Sequence, residues 1–293
     1  MKSAIVYFSQ TGNTKKIAEF IQKGIKSTTG QCDILKLKEV KGKDLIRYDL
    51  IGLGCPVFGY REPANVKAFI DSLPQLKGKH CFVFVTHGTV LGKTLATMSW
   101  ALHQKGMVVI GSFHCYADVF VPSIPYPWFT TGHPDEVDFK EAKTFGKEIV
   151  GISKSIAKGK TSLIPPVKKA DWGQAFQAHL TMPLNREKCR YPECHLCIDN
   201  CPVNGIDLSA KPIVFQRDCI GCFYCEQICP YGAIEVDWET FWQMLQPRYQ
   251  GYRKAATKAE RLGLLRRYYD VEIDNPDKIR FKVFSKRPRA NPC

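Results

Sequence analysis

Through the first 155 residues, short runs of apolar and β-branched residues alternate with longer amphipathic stretches. This is the pattern of a parallel sheet wrapped by helices: the strands are buried on both faces, and each connecting helix keeps one polar face. Strands are expected at Ala4–Phe8, Asp33–Leu37, Leu50–Gly54, Cys81–Thr86 and Met107–Phe113. Helical periodicity falls at Thr14–Ser27, Pro63–Leu73, Leu91–Lys105 and about Asp135–Lys158. Five strands with these helices make a doubly wound five-stranded parallel α/β sheet, which sets a first domain at residues 1–158. The pattern breaks over Gly159–Pro183, rich in Lys, Ser and Pro, so residues 159–181 are expected to be a linker and a small second domain to occupy 182–238. Beyond Val236 helical patterns return at Trp238–Leu245 and Arg253–Tyr269, and Val271–Phe284 reads as a terminal extended segment, so 239–293 is expected to be a helical C-terminal extension.

Composition narrows the chemistry. The chain holds 13 cysteines, and eight of them fall in the 41 residues from Cys189 to Cys229. The start MKSAIVYFSQTGNT lacks the apolar core of a signal peptide, and no run of about 18 apolar residues occurs, so a cytoplasmic protein without membrane insertion is expected. In a reducing compartment, clustered cysteines are metal ligands rather than disulfides. The formal charge is +14, yet residues 171–238 carry five Lys/Arg against nine Asp/Glu while the tail 239–293 carries thirteen against six. Nucleic-acid binding is not expected from so uneven a distribution, and the basic tail is a candidate docking element for an acidic partner.

The second cysteine motif reads Cys219-Ile-Gly-Cys222-Phe-Tyr-Cys225-Glu-Gln-Ile-Cys229-Pro230, a C-x2-C-x2-C-x3-C-P run. Such spacing lets three thiolates of one loop cap three corners of an iron–sulfur cubane. A structural zinc ion takes four ligands and has no use for a third Cys followed by x3-Cys-Pro. The first motif, Cys189-Arg-Tyr-Pro-Glu-Cys194-His-Leu-Cys197-Ile-Asp-Asn-Cys201-Pro202, has four residues where two are regular, and Tyr191 stands at the regular first position. Either Cys189 reaches the iron through a lengthened loop, or one iron of this cluster is open or differently ligated. Cys189 is the favoured ligand because it is the spare thiol nearby. His195, between two ligands, is either a hydrogen-bonding neighbour of the cluster or a solvated polar residue. Val203-Asn204-Gly205-Ile206 and Tyr231-Gly232-Ala233-Ile234 follow their Cys-Pro pairs alike.

After the first strand comes Ser9-Gln10-Thr11-Gly12-Asn13-Thr14, opening a helix. Hydroxyls, backbone N–H groups and the positive helix end together suit a phosphate. No G-K-S/T follows, and no G-x-G-x-x-G is present. The loops leaving strands three and four are Pro56-Val57-Phe58-Gly59-Tyr60 and Thr86-His87-Gly88-Thr89. An aromatic, proline-rich excursion from Tyr116 to Phe129 follows strand five; it could cover a ligand, pack on the second domain, or fill a gap beside its own sheet. Cys32, Cys55, Cys81 and Cys115, in or beside strands, are expected to be buried free thiols.

The S-x-T-G-x-T loop resembles the FMN-phosphate loop of flavodoxins, and the cysteine runs resemble those of bacterial ferredoxins. Taken together the chain resembles the flavodoxin-ferredoxin fusion proteins of anaerobes. That resemblance implies a flavodoxin-like sheet, a small α+β ferredoxin-like domain, FMN and two 4Fe-4S clusters. It implies that Phe58 or Tyr60 covers one ring face and that Thr86 to Thr89 supply backbone contacts, although the Trp and Asp-Tyr pair usual in short flavodoxins are missing. In two-cluster ferredoxins the fourth Cys of each run serves the other cluster. By position, cluster one would take Cys189, Cys194, Cys197 and Cys229, and cluster two Cys219, Cys222, Cys225 and Cys201. The implied activity is electron transfer with redox partner proteins; the enzyme-class alternative is an FMN-dependent oxidoreductase with its substrate under the Tyr116–Phe129 loop.

Overall fold

A computed structural model describes residues 1–119, 121, 124, 127–171, 182–209, 214–215 and 219–269. The N-terminal elements follow the order β1 (Ser3–Tyr7), α1 (Asn13–Thr29), β2 (Asp33–Lys36), β3 (Leu50–Pro56), α2 (Ala64–Ser72), β4 (His80–His87), α3 (Thr94–Gln104), β5 (Val108–Tyr116) and α4 (Glu136–Ala157). All five strands are parallel, in the order β2-β1-β3-β4-β5. The expected doubly wound sheet is therefore present. Its switch point lies between β1 and β3, where chains leaving adjacent strands diverge and open a crevice at the C-terminal ends.

Packing explains the regularity. Ile5, Phe82, Phe84 and Ile110 from the sheet pack with Ile17, Ile21 and Ile25 of α1 and Ile149 and Val150 of α4, all nearly inaccessible to solvent. On α1 these residues recur every four positions, which places them on one stripe. The two helices meet through glycines: a Cβ on Gly24 would lie 2.1 Å from the Lys143 carbonyl oxygen, and one on Gly146 would lie 2.2 Å from that of Ile21. Two glycines of β3 make room for rings of β4, since a Cβ on Gly54 would lie 2.0 Å from Phe84 and one on Gly52 would lie 2.3 Å from Phe82.

The cysteine-rich part contains α5 (Leu196–Asp199), a two-stranded antiparallel ribbon of β6 (Ile206–Asp207) and β7 (Val214–Phe215), α6 (Tyr224–Ile228), α7 (Trp238–Leu245) and α8 (Tyr249–Arg261). A further antiparallel bridge joins Leu184 to Ile234.

The chain forms two compact units that cut across the expected linear boundaries. The first comprises Met1–Val119, Phe129–Phe176 and Ala255–Tyr268; the second comprises Phe120–Trp128, Gln177–Lys254 and Tyr269–Cys293. Val121 packs on a core of Met182, Phe223, Ile234 and Phe241, and Trp128 meets Tyr249 and Tyr252 edge-on. Of the excursion after β5, Val121 and Trp128 thus pack within the cysteine-rich unit, whereas Tyr116 and Phe129 belong to the first unit. The helix expected over Arg253–Tyr269 ends at Arg261, because Gly263 at φ +68° supplies the left-handed stop. Part of the expected linker, 172–181, and the expected segment Val271–Phe284 lie outside the described residues.

Candidate functional site

Ser9 to Thr14 connect β1 to α1. Gly12 is the N-cap at φ +97°, a conformation glycine adopts freely, and no side chain caps the helix or places a carboxylate in its first turn. Helix α4 offers the contrast: its N-cap Asp135 accepts from the N–H groups of Val137 and Asp138. The first N–H groups of a helix have no partner within it, so the start of α1 has the character of an anion site. Ser9, Gln10, Gly12 and Asn13 are partly exposed and Thr11 is exposed, while Thr14 is buried with its hydroxyl 2.7 Å from that of Thr86. That contact ties the loop to the end of β4. Asn13 Nδ2 donates to the carbonyl of Asp118, just beyond β5.

The strand-three loop forms a tight turn. Phe58 and Arg61 exchange N–H···O bonds of 2.8 and 3.0 Å, with Gly59 and Tyr60 between them at φ +52° and +71°. Positive φ at both central residues marks a type I′ turn. The Val57 N–H donates to the Thr86 carbonyl, and the Lys93 N–H donates to that of Tyr60. Pro56, Val57, Phe58, Gly59 and Tyr60 are half-buried at the strand ends, and Phe58 sits edge-on to Phe8, with centroids 6.2 Å apart. Thr86, His87 and Thr89 are buried, and Gly88 is partly exposed. His87 Nδ1 donates to the Gly88 carbonyl, and its Nε2 lies 3.1 Å from His114 Nδ1. Burial, then the neighbouring His114, lowers the His87 pKa to about 4, so the imidazole is neutral at pH 7. The phosphate-type loop and both strand-end loops therefore lie at the same end of one sheet.

The cysteines of the second unit lie in two short runs, and four of them share a pocket. Cys189, Cys194, Cys197 and Cys229 all line this one pocket, part of it open to solvent, with Leu184, Tyr231 and Ile234. Burial, then the charges of Cys229 and Cys189, raises the Cys197 pKa to about 11. Burial raises Cys222 to about 12, with Cys219 and Cys201 adding to the effect, and Cys225 is raised by burial and then by Cys222, Cys219 and Cys197 of the first run. These half-buried thiols stay protonated on their own, and as ligands they would give up their protons to a cationic centre. The two Cys-Pro cysteines are matched: Gly205 N–H donates to Cys201 Sγ at 3.1 Å and Ala233 N–H to Cys229 Sγ at 3.2 Å. Each donor lies four residues after its cysteine, so the local repeat in sequence is also a repeat in hydrogen bonding. His195 is exposed, with Nε2 3.3 Å from Asp199, in keeping with the solvated alternative.

A family model described as "Flavodoxin domain" matches residues 4–117. A flavodoxin of Megasphaera elsdenii is 31% identical over 111 residues, which are 37% of this chain and 81% of that protein. The chain belongs to the flavodoxin family. A flavodoxin of Clostridium beijerinckii is 28% identical over 151 residues, covering 50% of this chain and 99% of that protein. The chain also carries a ferredoxin-family stretch, because an uncharacterized ferredoxin of Methanocaldococcus jannaschii is 32% identical over 60 residues, 20% of this chain and 97% of that protein. The flavodoxin part supplies the sheet-end loops.

Three features escape a reading of the sequence. The Asp118 contact runs through its main-chain carbonyl, which no side-chain pattern announces. The N–H···S bonds of Gly205 and Ala233 are likewise main-chain; the paired sequences after each Cys-Pro were their signal. Of the basic residues in the stretch expected to be helical, Arg253, Lys254, Lys258 and Arg261 lie on α8, but Arg266 pairs with Asp135 and Asp138, and Arg267 with Glu260. Buried Cys32, Cys55, Cys81 and Cys115 pack in the first unit as the sequence led one to expect, and among the described residues no helix is long and apolar enough to cross a membrane.

Proposed function

We propose that this flavodoxin-family chain is an electron carrier of the flavodoxin-ferredoxin fusion type, relaying electrons between FMN and two 4Fe-4S clusters and on to a redox partner protein. The observation that supports the reading is the gathering of Cys189, Cys194, Cys197 and Cys229 around one pocket, which brings the Cys-Pro cysteine of the second run among the cysteines of the first. Cluster one takes Cys189, Cys194, Cys197 and Cys229. Cluster two takes Cys201, Cys219, Cys222 and Cys225. Residues fit the flavin as well: the start of α1 lacks an internal cap, and the half-buried strand-end loops stand at the same end of the sheet.

When bound, FMN exchanges electrons in pairs or singly, and each cluster exchanges one. The chain does the rest. Ser9 to Thr14 hold the phosphate with backbone N–H groups and hydroxyls, and the Thr14–Thr86 contact fixes that loop against β4. Pro56 to Tyr60 and Thr86 to Thr89 bracket the ring, and the Val57–Thr86 hydrogen bond sets their spacing. The N–H groups of Gly205 and Ala233, which donate to Cys201 and Cys229, would draw charge from these thiolates as ligands and raise the potential of the clusters they hold. The substrate-reducing alternative puts its substrate under the loop after β5, of which Val121 and Trp128 pack within the cysteine-rich unit.

Anaerobic absorption spectroscopy with iron, sulfide and flavin analysis tests the reading. The expected content is about eight irons and about one FMN per chain. Zinc in place of iron, or a chain that takes up no flavin, would overturn it. Turnover of small molecules without any partner protein would favour the substrate-reducing enzyme.

A further inference from the structure

Residues 255–268 pack with the first unit, and their attachment is chemically specific. Arg266 Nη2 donates to Asp135 Oδ1 at 2.9 Å and to Asp138 Oδ1 at 2.6 Å, and its Nε donates to Asp135 Oδ2 at 3.1 Å. The Tyr268 hydroxyl donates to Asp135 as well. Behind them lies His133, 3% exposed. Its Nδ1 is 2.6 Å from Asp138 Oδ2, and its Nε2 is 2.7 Å from the Arg266 carbonyl oxygen. A carboxylate and a carbonyl are both acceptors, so both ring nitrogens must carry hydrogen and the residue sits as imidazolium.

The other side of His133 leads to the anion loop. Its main-chain carbonyl accepts from the Asp118 N–H at 2.7 Å, and the Asp118 carbonyl accepts from Asn13 Nδ2 at 3.3 Å. Thr131 Oγ1 adds a bond of 3.3 Å to Asp118 Oδ1. Two residues thus connect the C-terminal strap to the loop that opens α1.

We propose that His133 is a positioning residue that couples docking of the strap, residues 262–268, to anion binding at Ser9–Thr14. The identity of the anion as the FMN phosphate rests on the function proposed above; the coupling does not. Coupling of this kind is reciprocal, so a bound anion must also tighten the strap. It is also sensitive to pH. Burial alone would lower the His133 pKa, but the hydrogen bonds to Asp138 and the Arg266 carbonyl, with the charges of both aspartates, outweigh it and raise the pKa. The groups facing the ring are Asp138, Asp135 at 3.8 Å, Arg266, Tyr268 with centroids 5.5 Å apart, and Tyr116 with centroids 6.4 Å apart. A raised folded pKa means that the contribution is complete below the ordinary histidine value and is lost as pH rises through the raised one.

The test uses the full chain stripped of flavin, with FMN titrated back by fluorescence quenching and hydrogen exchange followed in residues 262–268. As pH rises through the raised His133 pKa, FMN affinity of the unaltered chain should weaken about tenfold while strap exchange quickens. His133→Asn should remove the pH dependence and sit near the weak end. Arg266→Gln should loosen the strap and weaken FMN binding. An affinity independent of pH, or an Arg266→Gln chain that loosens its strap yet binds FMN as before, would overturn the proposal. Should the chain take up no FMN, the flavin reading fails by itself; inorganic phosphate then serves as the probe, and strap exchange indifferent to saturating phosphate would overturn the coupling.

Discussion

Replacing Cys189 with alanine probes the irregular cluster motif directly. Cys189 lines the same cavity as Cys194, Cys197 and Cys229 and helps raise the Cys197 pKa, so its thiol lies within electrostatic reach of the group. It is half-buried, and Arg190, Tyr191, Pro192 and Glu193 after it are all exposed, so the substitution removes little packing. The protein fold should therefore survive, with a direct cost of no more than about 1 kcal/mol, while one corner of cluster one loses its ligand. Iron should fall from about eight to about four per chain if the cluster is lost, or by about one if a three-iron species persists. Absorbance near the thiolate-to-iron bands should fall in proportion, and electron paramagnetic resonance of the reduced protein should lose the interaction between paired clusters. Cys222→Ala, striking cluster two, should spare cluster one and provide the comparison. Unchanged iron content and an unchanged spectrum in Cys189→Ala would refute the assignment of Cys189 as a ligand.

Other expectations concern packing and the phosphate loop. Gly54→Ala forces a methyl to within 2.0 Å of the fully buried Phe84 ring and should cost about 1–3 kcal/mol in urea unfolding of the flavodoxin unit; a change below about 0.5 kcal/mol would contradict the packing argument. Thr14→Val and Thr86→Val each leave the partner hydroxyl without its bond and should cost about 1–2 kcal/mol apiece, whereas the double substitution should cost clearly less than their sum. Strict additivity would show that the two hydroxyls do not act as a pair.

The first unit was largely legible because burial on both faces leaves parallel strands as near-continuous apolar runs. All five strands fall within about two residues of expectation except β5, which continues three residues past Phe113 to Tyr116. There the alternating exposure of an edge strand, with Ser112 and His114 interrupting the apolar pattern, hid the end. The loops proposed to bind the cofactors were legible from their place after strands and from thiol spacing. What sequence did not reveal was partnership. Periodicity tells which face of a segment is apolar but not which core receives it, so Val121 and Trp128 looked equally suited to either unit. The strap was misread for a related reason: Arg266 and Tyr268 continue a helical charge pattern, and the single glycine at 263 that ends it was outweighed by the leucines around it.

The non-contiguous make-up of the two units bears on how this gene can be dissected. A fragment cut at residues 182–238 would contain every cluster cysteine yet lack Val121 and the Trp128–Tyr249 contact that complete its apolar interior. A fragment cut at 1–158 would keep all five strands but leave Asp135 and Asp138 without their guanidinium partner. Expressed separately, both pieces would begin with unsealed surfaces. Separating or recombining the two units would therefore require carrying the loop after β5 with the cysteine-rich unit and the strap with the sheet.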